Sequence, residues 1–308
     1  MIISEFQEAI DYISKKNDQM MKKKCFIVAA AMMALVGCAD QQLTSETLTD
    51  KVPEKKATVA GMSSTESRVS ILMEMARWGD GKACLKLADC YRDGKGVEKD
   101  FMGMLGMAAQ AEEFGGIDNM EDYLKEMPEG SDFKLLVDAI EKFKDNQPEI
   151  AASMAEQLIA RGSADGYTVQ GIMAMERGDS LAGAQLLEQA ASQGSTLAEL
   201  LLCFPEWHGS KEYDMEKLTA LSDKVPFVNT LLAKMYLGWD DESMRDEQLV
   251  AHYFLKADEK ACLNKRGARW LLDYHGKGNQ LPLSGRDIQR LRVIAQEEVE
   301  IVDTVEAE

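Results

Sequence analysis

The 308-residue sequence predicts an all-α protein built of helical hairpins laid side by side. Three observations carry that prediction. Apolar residues recur at spacings of three and four beyond residue 68, the mark of helices that bury one stripe. Aromatic residues make up only 7%, while alanine, leucine and methionine are prominent, a balance that suits helices better than strands. Glycines then mark off the chain: Gly79, Gly115, Gly162 and Gly194 stand 36, 47 and 32 residues apart. Unit ends near Val225 and Lys260 continue the series at about 31 and 35, periods typical of hairpin arrays.

The clearest hairpin runs from Ala83 to Gly115. Leu85, Ala88 and Tyr91, with Ala83 and Leu87 beside them, put one apolar stripe on a first helix. Asp93-Gly94 stops it, and Gly94 and Gly96 allow the positive φ values of a tight loop. Val97, the apolar residue of that loop, is expected to fold back on the hairpin. Asp100 stands where an N-cap is wanted, opening a second helix over Phe101 to Phe114. Gly103, Gly106, Ala108, Ala109 and Ala111 give this helix a smooth face that a partner helix can approach, and Gly115-Gly116 ends it.

The combination of Ala83, Leu87, Tyr91, Gly94-Lys95-Gly96-Val97, Lys99-Asp100, Ala108-Ala109 and Gly115 resembles a Sel-1-like repeat, a short α/α relative of the tetratricopeptide repeat. That resemblance implies a right-handed α/α solenoid acting as a scaffold or adaptor for other proteins, without chemistry of its own. Some secreted relatives staple each hairpin with a cysteine in both helices; the second helix here has Ala108-Ala109 instead, which does not support that pairing or an activity tied to it.

Upstream, Met21-Lys22-Lys23-Lys24 and about twelve apolar residues from Cys25 to Val36 read as the basic and hydrophobic regions of a signal peptide, shorter than the roughly 20 residues of a membrane span. Leu35-Val36-Gly37-Cys38 resembles a lipoprotein box. The resemblance implies cleavage between Gly37 and Cys38, a diacylglyceryl thioether on Cys38, and an acyl chain such as palmitate on its new amino group. More than one chain matters, because a single one gives marginal membrane binding. In the lipoproteins this box resembles, Ala39 in place of an aspartate behind the cysteine implies an outer-membrane address, and Asp40 standing without an acidic cluster implies a periplasm-facing orientation ahead of a cell-surface one. Residues 1–20 read as an over-long N-terminus ahead of the 21–37 signal, and 38–67 as the lipidated cysteine and a flexible tether. At 5–6 Å per square root of residue count, that tether reaches about 30 Å.

The repeat array is expected over 68–302, with an acidic tail over 303–308. Its first helix ends at Trp78-Gly79. Between Gly116 and Gly162 three helices are expected, Asp118 to Met127, Ser131 to Lys144 and Glu149 to Ala160. Arg177-Gly178-Asp179 makes a tight turn in the next unit, and Pro205 interrupts the helix after it. Leu231 to Leu237 and Leu249 to Ala257 flank an acidic loop from Trp239 to Arg245. Tyr274-His275-Gly276-Lys277-Gly278 repeats the glycine loop, and Ser284 with Asp287 forms a capping box ahead of a last helix striped by Ile288, Leu291, Ala295, Val299 and Val302.

Formal charge is −18, and the 37 residues before Cys38 carry five lysines against four acids, so the remainder stands at −19. Such an excess argues against nucleic acid or anionic lipid as partners. The three histidines, His208, His252 and His275, fall in separate units without a metal-binding spacing, so neither a metal nor a cofactor is expected. Gly94-Lys95-Gly96 lacks the frame of a phosphate loop. Cys84, Cys90, Cys203 and Cys262 read as small buried hydrophobes, and Cys84 and Cys90, about 9 Å apart along one helix, are too distant to bond.

The reading that follows is a lipid-anchored envelope scaffold, not an enzyme, that binds a protein or peptide partner. Two alternatives make specific demands. A carbohydrate- or ligand-binding lipoprotein would gather Trp78, Trp207, Trp239 and Trp270 on one exposed face. A hydrolase would place His208 or His275 in a pocket with a carboxylate and a nucleophile.

Overall fold

The structure, a computed structural model, describes residues 64–208, 212–238 and 241–296. All regular structure among them is helical: α1 Ser64–Arg77, α2 Gly81–Asp93, α3 Phe101–Glu113, α4 Met120–Lys125, α5 Asp132–Lys144, α6 Pro148–Ala160, α7 Asp165–Glu176, α8 Ser180–Ser192, α9 Thr196–Leu201, α10 Pro205–His208, α11 Met215–Lys224, α12 Val228–Tyr236, α13 Glu247–Glu259, α14 Lys265–Gly276 and α15 Gly285–Ala295. The chain forms two compact units. Of the described residues, 135–214 make the first, and 64–134 together with those from 215 onward make the second.

Local chemistry sets the helix ends. The side chains of Asp80, Asp100, Asn119, Asp179, Ser195, Asp246, Asn264 and Ser284 each accept from a backbone amide in the first turn of the helix that follows. Ser284 and Asp287 complete the expected capping box. The four glycines that space the units, Gly79, Gly115, Gly162 and Gly194, all have positive φ, between 70° and 97°. Ala261 does the same work with φ 59° after α13, near the expected unit end at Lys260, at the steric cost a side chain incurs there.

In the first unit α6, α7 and α8 pack in sequence, and α9 follows on α8. Pro148 opens α6, where its missing N–H costs nothing. Leu136, Ala139, Leu158, Val169, Leu187, Leu197 and the indole of Trp207 fill the core. One polar cluster lies within it. The Ser195 hydroxyl donates to Asp165 Oδ1 at 2.6 Å, lies 2.9 Å from Thr168 Oγ1, and accepts from the Ala198 amide at 3.3 Å. Ser195 thus uses its one donor and both acceptor sites, which is what keeps a buried hydroxyl inexpensive.

The second unit is centred on α3. Every residue from Phe101 to Ala111 is buried, so this helix has no solvent face, whereas the sequence suggested one smooth face. Two neighbours require its glycines. A Cβ on Gly103 would lie 2.7 Å from the Tyr91 ring of α2, and one on Gly106 would lie 2.0 Å from the ring of Phe227. The second contact joins residues 121 positions apart, and others like it recur: the Lys265 amide donates to Glu113 Oε1 at 2.8 Å, Arg77 Nε donates to the Asp258 carbonyl at 3.1 Å, and Arg286 pairs with Glu74 at 3.1 Å. Helices adjacent in sequence pack as hairpins, α2 on α3, α12 on α13 and α14 on α15, and α13 on α14 joins the last two. The earliest helices also meet the latest, which a stack touching only its sequence neighbours would not do.

Four smaller expectations change. Asp118 to Met127 holds only the six-residue α4, and residues 215–224 form α11, a helix the sequence reading left undrawn. Inside the acidic loop, Glu242–Met244 makes a 3₁₀ turn capped by Asp241. Tyr274 to Gly278 does not repeat the glycine loop in full, because α14 runs through His275 and Gly276 before Gly278 turns the chain at φ 89°.

Candidate functional site

A cleft of about 480 Å³ opens between α1 and the end of α2 in the second unit. Its apolar floor includes Val69 and Leu72 of α1, both buried. Charged walls rise on either side: Arg68 from α1, and Lys86, Asp89, Arg92, Asp93 and Lys95 from α2 and its loop, with the half-buried Cys90 among them. The loop closes one end because Gly94 and Gly96 adopt φ of 68° and 77°. A Cβ on Gly96 would come within 2.8 Å of Val69 and 3.0 Å of Thr65, so the glycine signature serves to seat the loop on α1.

Pairing within the cleft is uneven. Arg92 Nε and Nη2 grip Asp93 at 2.8 and 3.2 Å while Nη1 reaches Asp89 at 2.7 Å, a forked arrangement suited to guanidinium. Lys95 Nζ adds a 2.7 Å contact to Asp93, and Tyr123 donates to Asp89 at 3.3 Å. The hydrogen bond from Arg92 is the main reason the Asp93 carboxyl is held down at about 2, and the contact to Lys95 lowers it further. Burial pushes the Cys90 thiol up, against the opposing pull of Arg68. Both acids are thus engaged by Arg92 and Lys95, and the exposed side chains of Arg68 and Lys86 are left facing the cleft with no acid in salt-bridge range among the described residues. A cluster with four cations and two acids stands out on a chain of formal charge −18. Chemically it can hold carboxylates or other anions beside an apolar group; it has no nucleophile paired with a base.

The residues singled out in the sequence fall elsewhere. Gly37 and Cys38, with the signal and tether, lie outside the described residues. His208 closes the short α10 of the first unit, and His252 of α13 meets the ring of Tyr253 edge-on in the second. His275 sits in the last turn of α14, half-buried, with a buried Nδ1 that has no hydrogen-bond partner. Among the described residues no three of His, Cys, Asp and Glu come together as metal ligands would. Trp207 is wholly buried in the first unit; in the second, Trp78 faces the Arg286 guanidinium and Trp270 stacks on Tyr274 at 4.7 Å. Trp239 lies outside the described residues. Cys84, Cys203 and Cys262 are buried free thiols, as expected, and Cys90 is half-exposed to the cleft. Burial pushes the Cys84 thiol up to about 12, so it is inert as a nucleophile at neutral pH.

Arg68 and Lys86 escaped the sequence reading because each looks like an ordinary surface cation on a helix. Arg68 has no acid three or four residues further on along its own helix, while the acid three residues after Lys86, Asp89, is taken by Arg92.

No helix among the described residues is long and apolar enough to cross a membrane. No family model, curated protein or solved structure matches the chain.

Proposed function

We propose that this chain is a lipid-anchored scaffold of the cell envelope, whose Sel-1-like hairpins belong to a right-handed α/α solenoid and present a surface to a protein or peptide partner without catalysing a reaction. The anchor is Cys38, exposed by cleavage after Gly37 and acylated, on the periplasmic face of the outer membrane. What carries the reading is the hairpin α2–α3 with its Gly94-Lys95-Gly96 loop: its glycines are used to seat the loop on α1 and the helix on its neighbours, so the motif is spent on packing hairpins together. In the second unit the earliest and latest hairpins also pack together, a closure added to the serial scheme. The cleft between α1 and α2 supports a binding role, because it offers cations beside an apolar floor.

The test joins address to partnership. Cells expressing the full chain or Cys38→Ser are fed an alkyne analogue of palmitate, then treated with an amine-reactive cross-linker and analysed by mass spectrometry. The expected result is an acylated membrane protein cross-linked reproducibly to one envelope protein, with acylation abolished in Cys38→Ser. An unacylated chain with its leader intact would end the anchor reading. Glycan-array binding without any cross-linked protein would replace the scaffold by a carbohydrate-binding lipoprotein.

A further inference from the structure

The cleft between α1 and α2 narrows the chemistry of the partner. A compact anion such as phosphate is held by donors converging on one point, as at a nest of backbone amides. Here the two cations without an acid in range, Arg68 and Lys86, stand on different helices, and buried apolar residues, Val69 and Leu72, lie on the floor. The remaining cations are already committed, Arg92 to Asp89 and Asp93, and Lys95 to Asp93. Such a layout fits an extended ligand with carboxylates set apart and an apolar side chain between them. Around it the chain is strongly acidic, so local charge complementarity is what would select the ligand and set its orientation.

We propose that this cleft docks an acidic peptide segment of the partner protein, its carboxylates meeting Arg68 and Lys86 and an intervening apolar side chain lying on Val69 and Leu72. The inference rests on the scaffold reading and names the partner's chemistry. Arg92 and Lys95 keep their own acids and serve as the wall. Cys90, half-exposed in the cleft, gives a built-in reporter, since an occupant would shield its thiol.

The probe is a fluorescent hexapeptide of alternating glutamate and valine, titrated by anisotropy into the detergent-solubilised full chain, with a glutamine–valine peptide and inorganic pyrophosphate as competitors. Alkylation of Cys90 is followed in parallel by peptide mass mapping. Expected are binding that weakens as salt rises, protection of Cys90, no competition by the glutamine peptide, and a loss of about tenfold in Arg68→Ser/Lys86→Ser, the scale of two exposed ion pairs. Both substituted residues are exposed, and an unchanged melting temperature of that variant shows that the fold is intact. Binding that ignores the double substitution, or none at all, overturns the proposal. So does pyrophosphate displacing the peptide at equal concentration, which would assign the cleft to a compact anion. So, too, does a Cys90 shielded before any peptide is added and freed by truncation after Gln296, which would place the chain's own acidic residues 297–308 there. If the cellular cross-links to a partner survive Arg68→Ser/Lys86→Ser while peptide binding is lost or never seen, the scaffold stands and this docking site alone falls.

Discussion

At the residue scale, Gly106 shows two opposing effects of known size. Alanine would favour the helix by about 1 kcal/mol. Its methyl group, however, would fall 2.0 Å from the ring carbons of Phe227, itself buried, and overpacking of that kind costs roughly 1–3 kcal/mol or more. Steric overlap wins. Gly106→Ala is expected to lower stability by about 2 kcal/mol in urea unfolding, and adding Phe227→Leu should recover part of the loss; additive effects of the two substitutions would show that the contact is not the cause. Glu113 gives a prediction with a pH signature. Burial raises its carboxyl above the ordinary range, and the Lys265 amide with the charges of Lys265, Lys234 and Arg269 only partly opposes that. A carboxyl whose folded-state pKa is raised contributes its stability in the protonated form and loses it as pH climbs through the raised value. Glu113→Gln keeps the oxygen that accepts from Lys265, so its melting temperature should equal that of the wild type at pH 4 and exceed it at pH 7. A variant less stable at pH 7 would refute this account.

At the scale of elements, punctuation was readable from the sequence and environment was not. Asp100, Gly94, Gly115 and the Ser284–Asp287 box act through neighbours a few residues away, so their residue types alone place the helix ends. Asp100→Ala should cost about 1 kcal/mol, the usual value of an N-cap, measured as a shift in the urea midpoint with unchanged slope. The all-round burial of α3 was beyond the sequence, because glycines at positions 103 and 106 say that something comes close and leave open that Tyr91 and Phe227 come from different sides. Helix α11 is not legible in the sequence for a related reason: Met215, Leu218 and Leu221 are a thin stripe among charged residues, and the burial of Leu218, Leu221 and Ser222 depends on the surrounding unit. The candidate cleft was legible only in its loop. Its cations become a site through the contact of α1 with α2, and no local pattern announces that contact.

At the scale of the whole molecule, the second unit depends on a buried ion-pair cluster. Arg290 of α15 holds both carboxylate oxygens of Asp258 on α13, one of them at 2.7 Å, and also reaches Asp287 at 3.1 Å. Arg77 of α1 joins from the other side at 3.5 Å. The side chains of Arg290 and Asp258 are only 4% and 6% exposed, so neither can turn to water if the other is lost. Arg290→Met should therefore cost about 3–5 kcal/mol, while a double replacement with Asp258→Leu should regain most of it, since an apolar pair of similar volume is often no worse than a buried ion pair. Equal destabilisation of the single and double variants in chemical unfolding would contradict this. Asp287, held at about 2 by the Ser284 hydroxyl and amide and by Arg290, contributes stability that is complete above the ordinary aspartate range and lost as pH falls from about 4 toward 2.

The ring of Phe227 against α3 also bears on how the protein is made. A ribosome or a translocation channel delivers residues 101–113 more than a hundred positions before Phe227, and Lys265 later still. Throughout that interval an apolar helix has α2 on its Gly103 side and lacks the later neighbours, Phe227 among them, that cover the rest. The nascent hairpin would then be a client for holding chaperones until the last third of the chain arrives, and pulse-labelled chains halted before residue 227 should be digested by protease within α3 while completed ones are not.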